Sequence, residues 1–243
     1  MIFGRETNLG IRVVLKQYKS ALNGMHRELK VFTELERIKN GEENKAQSNE
    51  FEQSLGLPNL LSYAISSDNM SGEILMTNGG RNLSHWQEKI KDPEQRMLFA
   101  LAMIYYTTKG LQQIHSFGFA HSDLKMDNIC ARVGSDAKIK FTLIDFGVVT
   151  KLTKIGQVVD LNKKLFRGNL LTSSLDHIIG HRSSVIDDIY SLLCVAFQFV
   201  FDKLPWHERI DKSLAKIKKK LSKEDYQGFY VRMRVKYAQK FDE

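Results

Sequence analysis

The sequence feature that most constrains the fold is a polar segment followed by a hairpin pattern. The segment reads His121-Ser122-Asp123-Leu124-Lys125-Met126-Asp127-Asn128. Two strand-like runs follow it, separated by a turn with glycine and aspartate, and the second run leads into Asp145-Phe146-Gly147. Strands of a hairpin are antiparallel, so the residue before the first strand lies beside the residue after the second. We therefore expect Asn128 and Asp145 to lie close together at one end of the hairpin.

Two charged residues upstream are candidates for the same site. Lys16 ends the sequence Val13-Val14-Leu15-Lys16 within a run, residues 11–18, that alternates as a β-strand. Glu28 lies twelve residues later in a stretch, residues 25–38, whose apolar side chains recur at helical spacing. A lone lysine in a strand is usually an edge residue with its amine in water, and a glutamate on a helix usually faces solvent. Their order before the polar segment is what makes them candidates.

These motifs, in this order and spacing, resemble those of the eukaryotic protein kinase superfamily. Within it, the sequence after residue 147 is most similar to the casein-kinase-1-like group. The similarity rests on Gly168-Asn169-Leu170-Leu171-Thr172-Ser173-Ser174, Asp187-Asp188-Ile189-Tyr190-Ser191-Leu192 and Leu204-Pro205-Trp206. The Ala-Pro-Glu motif that most other kinases carry here is absent from the sequence. The resemblance extends from about residue 2 to at least residue 206.

The resemblance implies an α+β, bilobal protein-kinase-like fold. A β-rich N-lobe is expected at residues 1–78, with a polar insertion at residues 39–54, and a mostly helical C-lobe at residues 79–243. The pair Gly79-Gly80 breaks the strand pattern between the lobes and suits a hinge. The family's first strand and glycine-rich loop belong before Val13, so a truncated N-lobe is expected. The last helices of the C-lobe are expected to be incomplete.

The resemblance assigns the chemistry to four residues and implies Mg²⁺ as a cofactor. Asp123 would orient the substrate hydroxyl and take its proton, and Lys125 would neutralise charge on the moving phosphoryl group. Asn128 and Asp145 would bind Mg²⁺. Asp123 is expected in a solvated cleft. As a structural alternative, Asp123 and Asn128 could instead cap loops.

The resemblance also implies ATP as the nucleotide. Lys16, oriented by Glu28, would hold the α- and β-phosphates. Met76 takes the gatekeeper position at the back of the adenine pocket, and it is equally consistent with an ordinary core residue. Asn78, in the expected hinge, is a further candidate for contact with the nucleotide.

Three substitutions depart from the family pattern. Ser122 stands in place of the arginine that binds a phosphorylated activation loop, so such control is not expected. Asn169 replaces a threonine that braces the catalytic residues, and Leu171 replaces an arginine that the casein-kinase-1-like group uses near acidic substrates. Two classes of function stay open: a protein Ser/Thr kinase, or a weakly active or inactive pseudokinase that serves as a protein-binding scaffold. The retained charged residues favour the enzyme.

Composition narrows the class of protein and its partners. The hydrophobic share of 42% suits a sizeable core, and the net charge of +8 is interpreted as a basic surface. Much of the positive charge lies in residues 212–223 and 232–240, where no aromatic and basic residues alternate on strands, so no specific nucleic-acid partner is expected. The longest apolar run, residues 192–200, is far shorter than the roughly 20 residues that a membrane span needs. The two distant cysteines are typical of reduced thiols in a cytoplasmic or nuclear protein. A protein substrate or protein partner is expected, and the oligomeric state is open.

Two helices after residue 90 are predicted with buried faces. The first would begin at Asp92-Pro93, which combines a capping residue with a first-turn proline. Its expected buried stripe is Met97, Leu101, Ile104, Thr108 and Leu111. The second helix is almost wholly apolar and is expected to be central. Its expected buried residues are Ile189, Leu192, Leu193, Ala196, Phe197 and Val200.

Overall fold

The protein's computed structural model describes residues 2–6, 12–19, 22–40, 56–134, 136–152, 166–179, 184–216 and 222–238. The N-terminal region is β-rich and the remainder is mostly helical, so the expected α+β class is confirmed. The helix expected over residues 25–38 extends to Asn40, so the first two residues of the predicted polar insertion are helical. The rest of that insertion lies outside the described residues. The predicted lobe boundary between residues 78 and 79 stays a prediction.

A four-stranded antiparallel sheet forms the N-terminal region. Its strands are β1 (Ile2–Glu6), β2 (Arg12–Lys19), β3 (Leu60–Ile65) and β4 (Ser71–Thr77), in the order β1-β2-β4-β3. Side chains alternate between the two faces of a strand, so Val14, Lys16 and Tyr18 of β2 point to the same side. Of the two central strands, β2 carries Lys16 and β4 carries Met76.

Helix α1 (Asn23–Asn40) connects this sheet to the helical region. Its apolar residues Met25 and Phe32 are buried, as the helical spacing predicts. The ring of Phe32 meets the ring of Phe146 edge to face, with centroids 5.8 Å apart. Phe146 follows the hairpin, and one cluster of buried apolar residues continues from α1 into the helical region. The core therefore fixes α1 relative to the segment that carries Asp145.

Six α-helices lie in the described chain after the sheet. They are α2 (Leu83–Lys89), α3 (Pro93–Ser116), α4 (Leu175–Ile178), α5 (Val185–Phe201), α6 (His207–Leu214) and α7 (Lys223–Ala238). Asp92 caps α3 by accepting a hydrogen bond from the backbone of Gln95, and Ser184 forms a capping box with Asp187 at the start of α5. Helices α3 and α5 pack together at the centre of this region.

The predicted hairpin is confirmed. Its strands are β7 (Ile129–Val133) and β8 (Ile139–Leu143), and β5 (Arg81–Asn82) pairs with β7 on the other side. A second small pair joins β6 (Phe119–Ala120) to β9 (Thr150–Lys151). The backbone N–H of Ile144 donates to the carbonyl of Asn128 at 2.9 Å, so the two ends of the hairpin lie side by side. Ser135, in the predicted turn, lies outside the described residues.

The predicted buried stripe of α3 is wrong in its first half, at Met97 and Leu101, whereas Ile104 and Thr108 are partly buried. Met97 and Leu101 are 43% and 56% exposed, although Leu111 is buried. The buried residues are Phe99, Ala100, Met103, Thr107, Gly110, Leu111, Gln113 and Ile114. Leu98 and Tyr105 are exposed as well, so apolar residues occupy several faces of this helix. Helical spacing alone does not show which apolar face of α3 is buried. Packing against the neighbouring elements determines it.

The prediction for α5 holds for one face only. Leu192 and Ala196 are buried, whereas Leu193 is 53% and Phe197 is 39% exposed. The buried face packs on α3, where Phe199 stacks on a phenylalanine ring at 5.1 Å. Among the described residues, no helix has both the length and the apolar character that a membrane span requires.

Candidate active site

Three charged residues that the sequence singles out meet where the sheet, helix α1 and the hairpin adjoin. The ammonium of Lys16 donates to Glu28 Oε2 and to Asp145 Oδ1, each at 2.7 Å. Glu28 is fully buried on α1. These residues come from distant parts of the sequence, and they form one ion-pair cluster because the three elements pack on a common core.

The charges in this cluster stabilise one another. Burial alone would lower the pKa of Lys16, but Glu28 and Asp145 outweigh burial and raise it above its ordinary value. Burial alone would raise the pKa of Asp145, but the ammonium of Lys16 outweighs burial and the pKa lies below its ordinary value. Lys16 and Asp145 are therefore both charged at neutral pH. The side chain of Asp145 is 37% exposed, so it remains accessible to a ligand.

Asp123, Lys125 and Asn128 form a second cluster. Asp123 Oδ2 accepts hydrogen bonds from Lys125 Nζ at 2.9 Å and from Asn128 Nδ2 at 3.1 Å. Asn128 Nδ2 also donates to the carbonyl oxygen of Asp123 at 2.8 Å. Asp123 is only 8% exposed, so the expected solvated environment is wrong. The reason is that the two donors lie against the carboxylate and shield it from water.

The segment that carries Asp123 is held by a carboxylate to which the sequence analysis gave no role. Asp188, near the start of α5, is 1% exposed. Its Oδ2 accepts from the backbone N–H of His121 at 2.7 Å and lies 2.8 Å from Nε2 of His115. Its Oδ1 accepts from the backbone N–H of Ser122 at 2.9 Å. Two adjacent acidic residues, Asp187 and Asp188, at the start of an otherwise apolar helix are the sequence signal that could have identified it.

The substitution at residue 122 is accommodated by close packing. Ser122 has a left-handed backbone, with φ at 68°. Its hydroxyl lies 2.8 Å from the hydroxyl of Thr150 on β9. Gly168 also adopts a positive φ of 128°, and a Cβ atom there would collide with the carbonyl oxygen of Ser122. The segment after residue 166 therefore lies directly against the segment of Asp123.

Asn169 organises a local turn. Its Oδ1 accepts from the backbone N–H groups of Leu171 at 2.9 Å and Thr172 at 3.3 Å. Thr172 Oγ1 in turn donates to the carbonyl oxygen of Leu124 at 2.6 Å. A threonine thus braces the segment of Asp123 through its backbone, three residues beyond the position where the family pattern places one.

A cleft with a volume of about 420 Å³ opens beside the ion-pair cluster of Lys16, Glu28 and Asp145. This size is within the range of small-molecule sites. Its lining includes Val14, Lys16, Met76, Thr77, Asn78, Cys130, Ile144 and Asp145. Met76 is 4% exposed and pairs across the sheet with Val14. The cleft thus brings together the residues that the sequence analysis assigns to the nucleotide.

A backbone turn at one edge of the cleft follows strand β4. Asn78 donates its backbone N–H to the carbonyl of Arg12 at 2.9 Å, and its Oδ1 accepts from Gly80 at 2.8 Å. Gly80 has a φ of 107°, and a Cβ atom there would collide with the carbonyl oxygen of Ala131. Only glycine suits that position, because the chain approaches β7 so closely.

Cys130 is a cleft residue that sequence reasoning missed. It is 6% exposed on β7, and burial raises the pKa of its thiol to about 11. The sequence identifies it only as a buried thiol. No sequence pattern shows which face of β7 turns to the cleft.

The donor set fits a magnesium ion only together with a phosphate ligand. In the described part of the chain, no three His, Cys, Asp or Glu side chains cluster to hold a metal. Asn128 and Asp145 offer an amide and a carboxylate oxygen at adjoining ends of the hairpin. Magnesium in nucleotide sites is commonly held by one or two protein groups plus phosphate oxygens and water.

Comparison with known proteins gives the family. The protein kinase domain family matches residues 29–241, most of the chain. That match begins after Glu28, so it covers neither Lys16 nor Glu28, whose expected contact is shown by the structure. A solved structure of vaccinia related kinase 3 superposes with a TM-score of 0.69 at 15% identity, covering 94% of this chain and 65% of that one.

Curated relatives are kinases as well. Casein kinase 1-like protein HD16 of Oryza sativa is 33% identical over 46% of this chain and 17% of the relative. A probable serine/threonine-protein kinase of Dictyostelium discoideum is 26% identical over 60% of this chain and 30% of the relative. A putative casein kinase I of Caenorhabditis elegans is 31% identical over 42% of this chain and 30% of the relative. The chain thus spans less than a third of the length of these relatives. By the extent of the family match and the fold, it belongs to the eukaryotic protein kinase superfamily.

Proposed function

We propose that the chain is a protein serine/threonine kinase that transfers the γ-phosphate of ATP to hydroxyl groups of proteins. The observation that carries the proposal is the position of the Lys16 ammonium, 2.7 Å from both Glu28 and Asp145 beside the cleft. Phosphoryl transfer needs mainly positioning and charge neutralisation, and a cation fixed by two carboxylates suits that task. The names of the casein-kinase-like relatives support the same substrate class.

The second cluster supplies the group that acts on the acceptor hydroxyl. Asp123 accepts the proton of the hydroxyl, and Lys125, 2.9 Å away, offsets negative charge near it. Mg²⁺, held by Asn128 and Asp145 together with the nucleotide, would neutralise the phosphate oxygens. The nucleotide itself would contact Lys16, Met76 and Asn78.

We further infer that the chain acts on protein partners in the cytoplasm or nucleus. Cys130 and Cys194 are both free and buried. Thiols persist in this state in reducing compartments.

A pseudokinase that binds partner proteins without phosphoryl transfer is the second candidate. It is favoured by Asn169, whose side-chain oxygen is engaged in a local turn at the position where the family braces its catalytic residues. Asp123 and Lys125 then depend on Asn128 and on each other for their orientation.

Phosphate transfer by the purified chain separates the two candidates. The chain is incubated with γ-labelled ATP, Mg²⁺ or Mn²⁺ and a generic acceptor protein, beside the variants Asp123→Asn and Asp211→Asn. Asp211 is a matched control on α6, with 61% of its side chain exposed. We expect phosphoserine and phosphothreonine from wild type and Asp211→Asn, and a loss of roughly 100-fold or more in Asp123→Asn, as for removal of a general base. No transfer by wild type at any metal concentration would refute the kinase and leave the binding module.

A further inference from the structure

Tyr18 lies beside the ion-pair cluster, at a position outside the motifs that identify the family. It follows Lys16 by two residues on β2, so both side chains point to the same face of the sheet. The Tyr18 hydroxyl donates to Glu28 Oε2, the oxygen that also accepts from Lys16 at 2.7 Å. The Lys16 ammonium lies 5.3 Å from the centre of the Tyr18 ring. Tyr18 thus contacts both members of the pair.

Glu28 needs a second donor because of its environment. Its side chain is fully buried, and its other carboxylate oxygen, Oε1, has no hydrogen-bond partner among the described residues. A buried carboxylate is costly unless charges or donors compensate it. In the described structure, the donors to Glu28 are Lys16 and Tyr18, and both reach the same oxygen.

Lys16 is shared between two acceptors, whereas Tyr18 is not. The Lys16 ammonium also donates to Asp145 at 2.7 Å, and it is the group proposed to bind phosphate oxygens. The Tyr18 hydroxyl is directed at Glu28, so it serves that carboxylate while the ammonium is divided between two. Burial and the nearby charge of Glu28 raise the pKa of Tyr18 above its ordinary value, so Tyr18 stays a donor at neutral pH.

The ring of Tyr18 also packs against the first turn of α1. A Cβ atom on Gly24 would lie 3.6 Å from both the Tyr18 ring and the carbonyl oxygen of Gly147, so the three groups are close neighbours. Gly24, in the first turn of α1, therefore lies between the Tyr18 ring on β2 and the segment of Asp145. The polar contact of the Tyr18 hydroxyl and the apolar contact of its ring are therefore both made with helix α1.

We propose that Tyr18 is a positioning residue that holds Glu28, and through Glu28 the ammonium of Lys16, in the geometry that binds the phosphates of ATP. The proposal rests on the proposed function for its ligand. The part that does not depend on the ligand is that the hydroxyl of Tyr18, on β2, sets the position of helix α1.

The test uses Tyr18→Phe, which removes the hydroxyl and keeps the ring. Tyr63→Phe is the matched control, since Tyr63 lies on β3 of the same sheet and is 57% exposed. We expect the Kd for Mg-ATP to rise roughly tenfold in Tyr18→Phe, the scale of one hydrogen bond lost to a buried charge, and to stay unchanged in Tyr63→Phe. In a Glu28→Gln background, Tyr18→Phe should change the Kd by less than about twofold, because the hydroxyl acts through Glu28. Equal effects in both backgrounds would overturn the proposal, as would an unchanged Kd.

A measurement without nucleotide keeps this proposal separate from the kinase assignment. Amide hydrogen exchange along α1 should be faster in Tyr18→Phe than in Tyr63→Phe, whether or not the chain transfers phosphate. If wild type binds Mg-ATP but transfers no phosphate, the kinase assignment fails and the Kd comparison still decides the role of Tyr18. If wild type binds no nucleotide, exchange decides alone, and equal exchange in the two variants overturns the proposal. A lower thermal midpoint with unchanged exchange and Kd would indicate a merely structural tyrosine.

Discussion

Asp145 adopts a left-handed backbone, with φ at 67°. Such a conformation costs roughly 1–2 kcal/mol for most residues, and aspartate and asparagine tolerate it best because their short side chains bond locally. Here Asp145 Oδ1 accepts from the backbone N–H of Gly147 at 3.3 Å as well as from Lys16. The unusual backbone thereby directs the carboxylate toward the cleft.

Asp145→Asn should abolish Mg²⁺-dependent binding of ATP. Asparagine tolerates the same backbone conformation, so the substitution removes the charge that would hold the metal and leaves the turn intact. Asp202→Asn is a matched control, because Asp202 also has a positive φ, at 66°, and pairs with Arg96 away from the cleft. Titration calorimetry with Mg²⁺ and with EDTA measures the effect. Tight binding that ignores both EDTA and Asp145→Asn would contradict the assignment.

The two cysteines should resist thiol reagents in the folded protein. Burial raises the pKa of Cys130 and of Cys194 to about 11, so both thiols remain protonated at pH 8, where an unperturbed thiol is partly ionised. Reaction with Ellman's reagent at pH 8 should be slow for the native chain and should reach two thiols in guanidinium. Rapid labelling of native Cys130 would show that the floor of the cleft is open to solvent.

At this scale, residues with a fixed motif position could be predicted and those with a purely spatial role could not. Lys16, Glu28 and Asp145 were found from order and spacing, and the structure brings them into contact. Asp188 acts through contacts with a segment that is distant in the sequence. Tyr18 acts through a contact with the neighbouring helix α1. A local pattern can mark such a residue, as the acidic pair at the start of α5 does for Asp188, but it does not show which groups the residue contacts.

Helix α1 is the element that joins the N-terminal sheet to the segment of Asp145. Glu28 reaches the sheet through Lys16, and the preceding residue, Arg27, donates from Nε to the carbonyl oxygen of Gly147 at 2.6 Å. Two consecutive residues of one helix therefore contact both the strand and the segment of Asp145. A displacement of α1 would disturb both contacts together.

Arg27→Ala should loosen this helix. Loss of a hydrogen bond from a charged donor is expected to lower the free energy of unfolding by about 1 to 2 kcal/mol and to weaken ATP binding. Arg37→Ala is the control on the same helix, since the side chain of Arg37 is 78% exposed and pairs only with nearby Glu34 among the described ion pairs. That control should change stability by less than about 0.5 kcal/mol. Urea unfolding of the three proteins makes the comparison, and equal stability in all of them would argue against the link.

For the helices and strands, the sequence predicts that an element forms, but it does not predict which face of the element is buried. The hairpin and the capped start of α3 follow from turn residues and from Asp92, which act locally. The buried face of α3 depends on neighbours that the sequence does not show. Leu101 and Leu193 are as apolar as the core residues beside them, yet both are more than half exposed.

At the scale of the molecule, the cleft is lined from both the sheet and the helical region, so a nucleotide there would contact both. Mg-ATP at a hundredfold excess over its Kd would stabilise the fold by about 2.7 kcal/mol, which corresponds to a rise of roughly 5–10 °C in the thermal midpoint of a chain this size. We expect this rise for wild type and its absence for Asp145→Asn. Scanning fluorimetry with and without Mg-ATP measures it, and a wild type that does not respond would contradict the assignment of the cleft.

The class of fold was predictable because the order of the motifs is specific to one superfamily, and the family match agrees. Activity is a different matter, since it depends on sub-ångström placement of Asp123 and Lys125 that no motif encodes. The lobe boundary and the site roles stay predictions for the same reason. The lobe boundary concerns motion and the site roles concern chemistry, whereas the sequence pattern shows only the order of the motifs along the chain.

Gly80 and Gly168, whose Cβ positions are blocked, limit the random substitutions that this chain tolerates. Gly80 and Gly168 each combine a positive φ with a carbonyl oxygen where a side chain would begin. Gly118 also has a positive φ, but nothing lies within 4 Å of its Cβ position. In a library selected for folding alone, Gly80 and Gly168 should therefore remain invariant, while Gly118 should drift to asparagine and aspartate.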